Sequence, residues 1–477
     1  MRKLSAAMTN LVLSDTSKLP ITVEKIGGTS MSRFSEIIDN VILHDSARVL
    51  GRVYVVSAYG GVTDLLLEHK KTGAPGVYTR FAERGDYLKA LEDLRGRLLT
   101  INRQFESIGL DVQAADAFIL ERLDGVIRYL ASMNDVLASG YVAHAELLSA
   151  ARELLASVGE SHSAFNSGNI LARRGYPVTV IDLSGWGDSR ELTIDQRIQE
   201  AFTGIDPRKQ IIFTTGYSKG TEGIMREFDR GYSEVVFSKI AVLLPADEAI
   251  IHKEYHLSSA DPAVVGVQRV RPVCSTNFDV ADQLADVGME AIHPKAAKPV
   301  ELAGIPLRIK NAFEPGHDGT LITRDYVCPD SKLEIIAGSK SVSLLEIHDA
   351  RMVAEVGSDL RIMEVLVRHG LSYISKTTNA NTIDLILWED ELGNELLSEL
   401  RGMFRSVEIH PVAIVCAIGS NIAKPGILAR AAQALANAGV NIINVAQTAR
   451  QTNMQFVVSR EQFVTAQRAL HDLLCET

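Results

Sequence analysis

The chain has only four cysteines in 477 residues, Cys274, Cys328, Cys416 and Cys475, and none forms a CxxC pair. That spacing suits neither a zinc site nor a disulfide framework, and it points to a reducing, cytoplasmic setting. No run of about 18 apolar residues occurs, so no membrane span is expected. A surplus of positive charge is also missing, since the formal net charge is −10. Such a chain gains nothing from a nucleic-acid backbone, so nucleic acid is not an expected partner. Any phosphate chemistry then needs a local positive site. There is no HExxH or comparable spacing, and no metal ligand set is expected. Residues 1–20 begin with basic residues but lack a sustained apolar stretch, and they read as a loosely ordered lead-in.

What is present is ordinary for a globular protein, with 46% hydrophobic and 23% charged residues and a length that suits two to four domains. The β-branched segment Ile21 to Lys25 runs into Gly27-Gly28-Thr29-Ser30, and apolar residues at Phe34, Ile37, Ile38, Val41 and Ile42 then follow a helical spacing. A second strand, Arg52 to Ser57, ends in Gly60-Gly61, which completes a β-α-β unit of a parallel sheet. A long helical region follows, with one amphipathic run expected from Ala114 to Val158. Short apolar strands are expected at Pro177 to Ile181, Gln210 to Thr214, Glu248 to His252, Gly288 to Ile292 and Pro306 to Ile309. The fold class is therefore α/β, with one large domain over 21–325.

From residue 334 a β-α-β-β-α order appears, and it recurs about 70 residues later, the mark of a ferredoxin-like module present twice, at 334–405 and 410–477. Small modules behind an enzyme-sized domain suggest regulation.

Four segments carry possible chemistry. In Lys25-Ile26-Gly27-Gly28-Thr29-Ser30 the glycines let backbone approach phosphate oxygens, and Lys25 adds a point charge. It is not a Walker A loop, because the lysine precedes the glycines. A plain glycine turn beside a surface lysine reads equally well from this segment alone. Ser57-Ala58-Tyr59-Gly60-Gly61-Val62-Thr63 offers hydroxyls that could hold a carboxylate, although a simple turn explains it as well. Arg230-Gly231-Tyr232-Ser233-Glu234 places an arginine suited to forked carboxylate recognition before a helix, where Glu234 alone would read as a helix-start charge. His293, beside a proline, reads as a structural histidine.

Together these segments resemble the aspartokinases of the amino-acid kinase family. KIGGTS is similar to the opening KFGGTS, and SAYGGVT to the second loop. HAELLS resembles the SxGExxS helix, TTGY…RGYSE the GF…RGGSD region, and AIHPKAAKPVELAGIPLRIKNAFEPGHDGT the junction segment. The repeat resembles paired ACT domains. The resemblance implies an αβα sandwich with a mostly parallel sheet, and transfer of the ATP γ-phosphate, with Mg2+, to the β-carboxylate of L-aspartate. It gives Lys25 and Glu234 catalytic roles, Glu234 standing where an aspartate orients the lysine. Lys25, Gly27, Gly28, Ser30, Lys253 and Asp261 would face the nucleotide. Ser57, Thr63, Glu146, Tyr217, Arg230 and Ser233 would seat aspartate. An ionised carboxylate attacks without a general base, so catalysis would rest on positioning and charge neutralisation.

The nucleotide side departs from the family. Its Thr-Asp pair is His252-Lys253, its arginine is Ala263, and the lysine before the HP motif is Glu290. Lys253 is the candidate to replace the lost positive charge. HKEYHLSSADP resembles the aspartokinases associated with ectoine synthesis. Competing readings are another amino-acid kinase, which the ACT pair disfavours, and an effector-binding protein with an inactive kinase domain. A homodimer through the ACT modules is implied. An amino-acid effector would use the loop His348 to Val353 or the turn Ser420 to Gly426. Because His348-Asp349-Ala350-Arg351 is atypical, feedback is expected to be weak or altered.

Overall fold

The computed structural model describes residues 19–228, 231–289, 292–353 and 355–475. The chain forms two compact units, one of residues 1–256 with 293–321, the other of 257–292 with 322–477. The expected single domain over 21–325 is thus interrupted, with 257–292 packing in the C-terminal unit.

In the first unit, β1 (Thr22–Ile26), β2 (Arg52–Val56), β3 (Val178–Ile181), β4 (Ile211–Thr215), β5 (Glu248–Lys253) and β6 (Leu307–Asn311) run parallel in the order β3-β4-β2-β1-β5-β6. Parallel strands covered on both faces read as continuous apolar runs, which is why Val53, Tyr54, Val55 and Val56 are all buried. Crossovers include α1 (Gly28–Ser32), α2 (Val62–Leu66), α3 (Tyr87–Glu106), α4 (Val112–Ser139), α5 (His144–Arg173), α6 (Ile224–Phe228), α7 (Tyr232–Leu243) and α8 (Pro294–Leu302). The one long helix expected from Ala114 is two, because Gly140 takes a left-handed φ of 72° and caps α4. Small residues in the second half of α5 bring it close to the sheet. A Cβ on Gly159 would lie 2.7 Å from the Ala58 Cβ, and one on Gly168 would lie 2.1 Å from Val180 Cγ2.

The second unit contains β7 (Ile335–His348), α9 (Ser358–Arg368), β8 (Ser375–Thr378), β9 (Thr382–Trp388), α10 (Asn394–Met403), β10 (Ser406–Ile418), α11 (Ile427–Asn437), β11 (Asn444–Gln447), β12 (Asn453–Ser459) and α12 (Phe463–Cys475). One antiparallel sheet runs β8-β9-β7-β10-β12-β11. The two ferredoxin-like modules are not consecutive, as the repeat suggests, but share their longest strands. The second half of β7 pairs with β9 and with the first half of β10, whereas Ile335–Ser339 pairs with Ile414–Ile418. Leu345 and Ile347 accordingly pack with α9 and α10, while Ile336 packs with α11 and α12. The expected strand at 288–292 falls partly on residues outside those described, and Gly288 itself sits in a turn with φ 76°.

Candidate active site

The ends of β1 and β2 converge on two glycine turns. A Cβ on Gly28 would stand 2.6 Å from the Ala58 carbonyl, so only glycine lets the turns touch. The Gly60 N–H donates to Ser32 Oγ at 2.8 Å and ties them together. Because α1 has only five residues, positive charge at this turn comes chiefly from side chains. Lys25 Nζ lies 3.2 Å from Glu234 Oε1, with both side chains about seven-eighths buried. The other oxygen of Glu234 accepts the His293 N–H at 2.6 Å. Burial pushes the Glu234 carboxyl up, but the charges of Lys25 and Lys253, with the His293 N–H, hold it below the usual range. The His293 ring occupies the space above Gly231, where a Cβ would be 2.6 Å from Cδ2.

Strand register places the second lysine. Lys25 is opposite Ile251 across β1 and β5, and Lys253 follows two residues later on the same face. Two cations thus share the face that Glu234 serves, at the carboxyl ends of adjacent strands. The intervening His252 points to the opposite face. There its Nε2 lies 2.7 Å from Glu24 Oε2, and Arg52 forks onto Glu24 at 2.6 and 2.7 Å. Glu24 is fully buried, which by itself would raise its carboxyl, yet Arg52 and His252 hold it far below the normal range.

Ser30 is buried, and its hydroxyl donates to Glu254 Oε1 at 3.0 Å, so in this structure it braces the turn. Asp261 belongs to the second unit, where it caps the short helix Pro262–Val265 by accepting the Ala263 N–H at 2.8 Å.

A second group of candidate residues is built on α5. Glu146, expected to hold the substrate amine, is exposed in the first turn of that helix. About four turns further on, Ser157-Val158-Gly159-Glu160-Ser161-His162-Ser163 repeats the full Ser-x-Gly-Glu-x-x-Ser pattern. Glu160 is the carboxylate at the site, and HAELLS is only a partial, displaced match. The Ser233 hydroxyl donates to Glu160 Oε1 at 2.7 Å. Glu160 is wholly buried, and this pushes its carboxyl up to about 8 against the opposing Ser233 bond, the Lys25 charge and the Tyr217 N–H. Its Oε2 has no hydrogen-bond partner among the described residues. Gly216 must be glycine, since a Cβ there would meet Ser233 Cβ at 2.8 Å. Ser57 is half-exposed at the end of β2, its carbonyl accepting from Ser163 Oγ at 2.8 Å. Thr63 is half-exposed in the first turn of α2. Tyr217 is buried edge-on to Tyr232, with ring centres 5.9 Å apart. Arg230 lies outside the described residues.

No group of three or more His, Cys, Asp or Glu side chains among the described residues is arranged to hold a metal ion. The glycine cradle and paired lysines instead fit a polyphosphate, which brings its own hydrated magnesium.

Residues 20–311 match the family model described as the amino acid kinase family, and residues 415–474 match an ACT domain. The aspartate kinase Ask_Ect of Stutzerimonas stutzeri is 45% identical over 463 residues, spanning 95% of this chain and 97% of its own. The chain belongs to the amino acid kinase family, among its aspartate kinases. Aspartokinase 1, chloroplastic, of Arabidopsis thaliana is 26% identical over 95% of the chain and 80% of the relative. In structure, this aspartate kinase chain resembles E. coli aspartokinase III in complex with aspartate and ADP, with a TM-score of 0.72 over 95% of this chain and 100% of that one. At 22% identity the likeness concerns the fold.

Proposed function

We propose that the protein phosphorylates the β-carboxylate of L-aspartate with the γ-phosphate of ATP, giving 4-phospho-L-aspartate. The observation that carries this reading is the Lys25–Glu234 pair at the glycine turn, with the buried Glu160–Ser233 pair packed against the same elements. Gly27 and Gly28 admit the γ-phosphate to their backbone. Lys25, aimed by Glu234, neutralises charge on the transferring group, and Lys253 does so from the neighbouring strand. Magnesium, entering with ATP, supplies further charge neutralisation.

Ser57, Thr63, Ser233 and Arg230 hold the carboxylates of aspartate, Tyr217 walls the pocket, and Glu160 takes the ammonium. A buried carboxyl with an unfilled oxygen is costly until a cation arrives, and the substrate ammonium is such a cation. The acceptor carboxylate is ionised at neutral pH, so no protein group needs to remove a proton from it. In-line positioning does the remaining work.

A cytoplasmic homodimer joined through the second unit belongs to the same reading. Val356, Leu360 and Val367, on or just before α9, are exposed and supply apolar surface for it. Among the described residues no helix is long and apolar enough to cross a membrane. Weak or altered amino-acid feedback also fits, because Arg351 already forks onto Asp349, whose carboxylate further accepts the Arg405 N–H at 3.1 Å.

The test is ADP release from ATP–Mg2+ with aspartate, glutamate, acetylglutamate or UMP, with hydroxylamine trapping of any acyl phosphate. Turnover with aspartate alone is expected. A folded protein that turns over none of the four is an effector-binding protein and not a kinase.

A further inference from the structure

The segment that follows β4 carries Tyr217 near its start and leads to Ser233 in the first turn of α7, and something must hold it in place. It has little regular structure beyond α6, which has five residues and exposes its first-turn N–H groups to whatever lies at its start. The cap comes from α5. One oxygen of Glu153 accepts the Met225 N–H at 2.7 Å and the Arg226 N–H at 3.4 Å, and the other accepts the Tyr217 hydroxyl at 2.8 Å. Met225 and Arg226 are the second and third residues of α6, the positions an N-cap side chain normally satisfies. Here the capping carboxylate comes from some seventy residues away in sequence.

Gly223 makes this approach possible. It has a φ of 75°, and a Cβ there would stand 3.1 Å from Glu153 Oε1. Tyr217, held by the same carboxylate, packs edge-on to Tyr232, which begins α7 immediately before Ser233 and Glu234. Glu153 also lines a cavity of about 750 Å3 with Glu146, Asp188, Trp186, Lys219 and Arg226, so one side of the latch faces open space rather than core.

We infer that Glu153 is a positioning residue for the acceptor: it fixes the loop from Tyr217 to α6 and thereby sets the placement of the groups that seat aspartate. It lies two helical turns before Glu160 on α5, so one helix both presents a carboxylate to the pocket and clamps the pocket's opposite wall. The inference rests on the aspartate kinase reading. Its signature is selective. The phosphate-side lysines stand on β1 and β5, which the latch does not touch. Loss of Glu153 is therefore felt by aspartate and not by ATP.

Steady-state kinetics of Glu153→Ala, Glu153→Gln and Tyr217→Phe, each checked for folding by circular dichroism, test this. Wild-type turnover is measured first, and its absence sinks the kinase reading and this inference with it. Given wild-type turnover, Glu153→Ala is expected to raise KM for aspartate about tenfold or more, with KM for ATP within about twofold. Glu153→Gln keeps an oxygen for the two N–H groups and an amide for the tyrosine oxygen, and it should restore most of the loss. Tyr217→Phe should give a smaller rise in the same constant. If Glu153→Ala does not fold, the Gln and Phe variants carry the test. Unchanged KM for aspartate in the folded variants, or equal increases for both substrates, would overturn the assignment with the kinase reading intact.

Discussion

The two halves of the proposed active site handle charge in opposite ways. On the phosphate side, Lys25 and Glu234 neutralise each other before any substrate arrives, and His293 fixes the carboxylate. On the acceptor side, Glu160 is buried with one oxygen unfilled and is protonated up to about pH 8. The first half is preorganised on adjacent parallel strands and needs no rearrangement. The second keeps a carboxyl neutral by burial until an ammonium arrives to favour its ionised form. The phosphate side is thus suited to accelerating the chemistry, and the acceptor side to choosing the substrate.

Several substitutions sharpen or break that contrast. Lys25→Ala should lower kcat by about 10^3-fold with little change in KM for aspartate, read by the coupled ADP assay. An equal effect on both constants would erase the division of labour. Glu160→Gln should raise KM for aspartate by about 10^2-fold, as expected for loss of a buried charge partner. The same variant should stabilise the ligand-free protein at alkaline pH. The folded-state titration of Glu160 lies above its unfolded value, so raising the pH ionises the unfolded chain first and costs stability until about pH 8 is passed. Glu160→Gln should therefore gain about 2–4 kcal/mol over wild type at pH 8.5 and under about 1 kcal/mol at pH 4.5, measured by urea unfolding. A pH-independent difference would remove the neutral buried carboxyl from the account. Lys253→Met should raise KM for ATP about tenfold and leave aspartate binding alone. The smallest effect belongs to Asp261→Ala, a lost helix cap worth about 1 kcal/mol with unchanged kinetics. A large rise in KM for ATP there would instead support a nucleotide-side role for Asp261.

Local features of the chain were readable from the sequence. The turn after β1 and most strands of the first unit declare themselves through residue type and spacing, whereas the roles of Lys25 and Glu234 came from the family resemblance. What the sequence hid depends on distant parts meeting. The resemblance gave Asp261 a nucleotide-side role, and the sequence did not announce that its carboxylate also caps its own loop. Nothing in the sequence pairs Ser30 with Glu254, which lies far along the chain and accepts its hydroxyl. Glu160 was legible in principle, since Ser157 to Ser163 contains the whole pattern, but the partial pattern at His144 to Ser149 comes first on the same helix. Nothing in the chain around Glu153 announces a latch, because the N–H groups it serves belong to another segment. The repeat after residue 334 revealed two modules but not their exchange of strands, since a strand's partner is a matter of register and not of composition.

That exchange has a mechanical consequence. β7 enters the second module before it builds the first, and β10 closes the first before it opens the second. Neither module can be excised, transplanted or melted by itself without stripping a strand from its neighbour. A chain truncated after α10 would lose β10 and leave the shared sheet incomplete in both modules. The second unit should accordingly lose structure in one step, and a perturbation at either module is borne by backbone common to both.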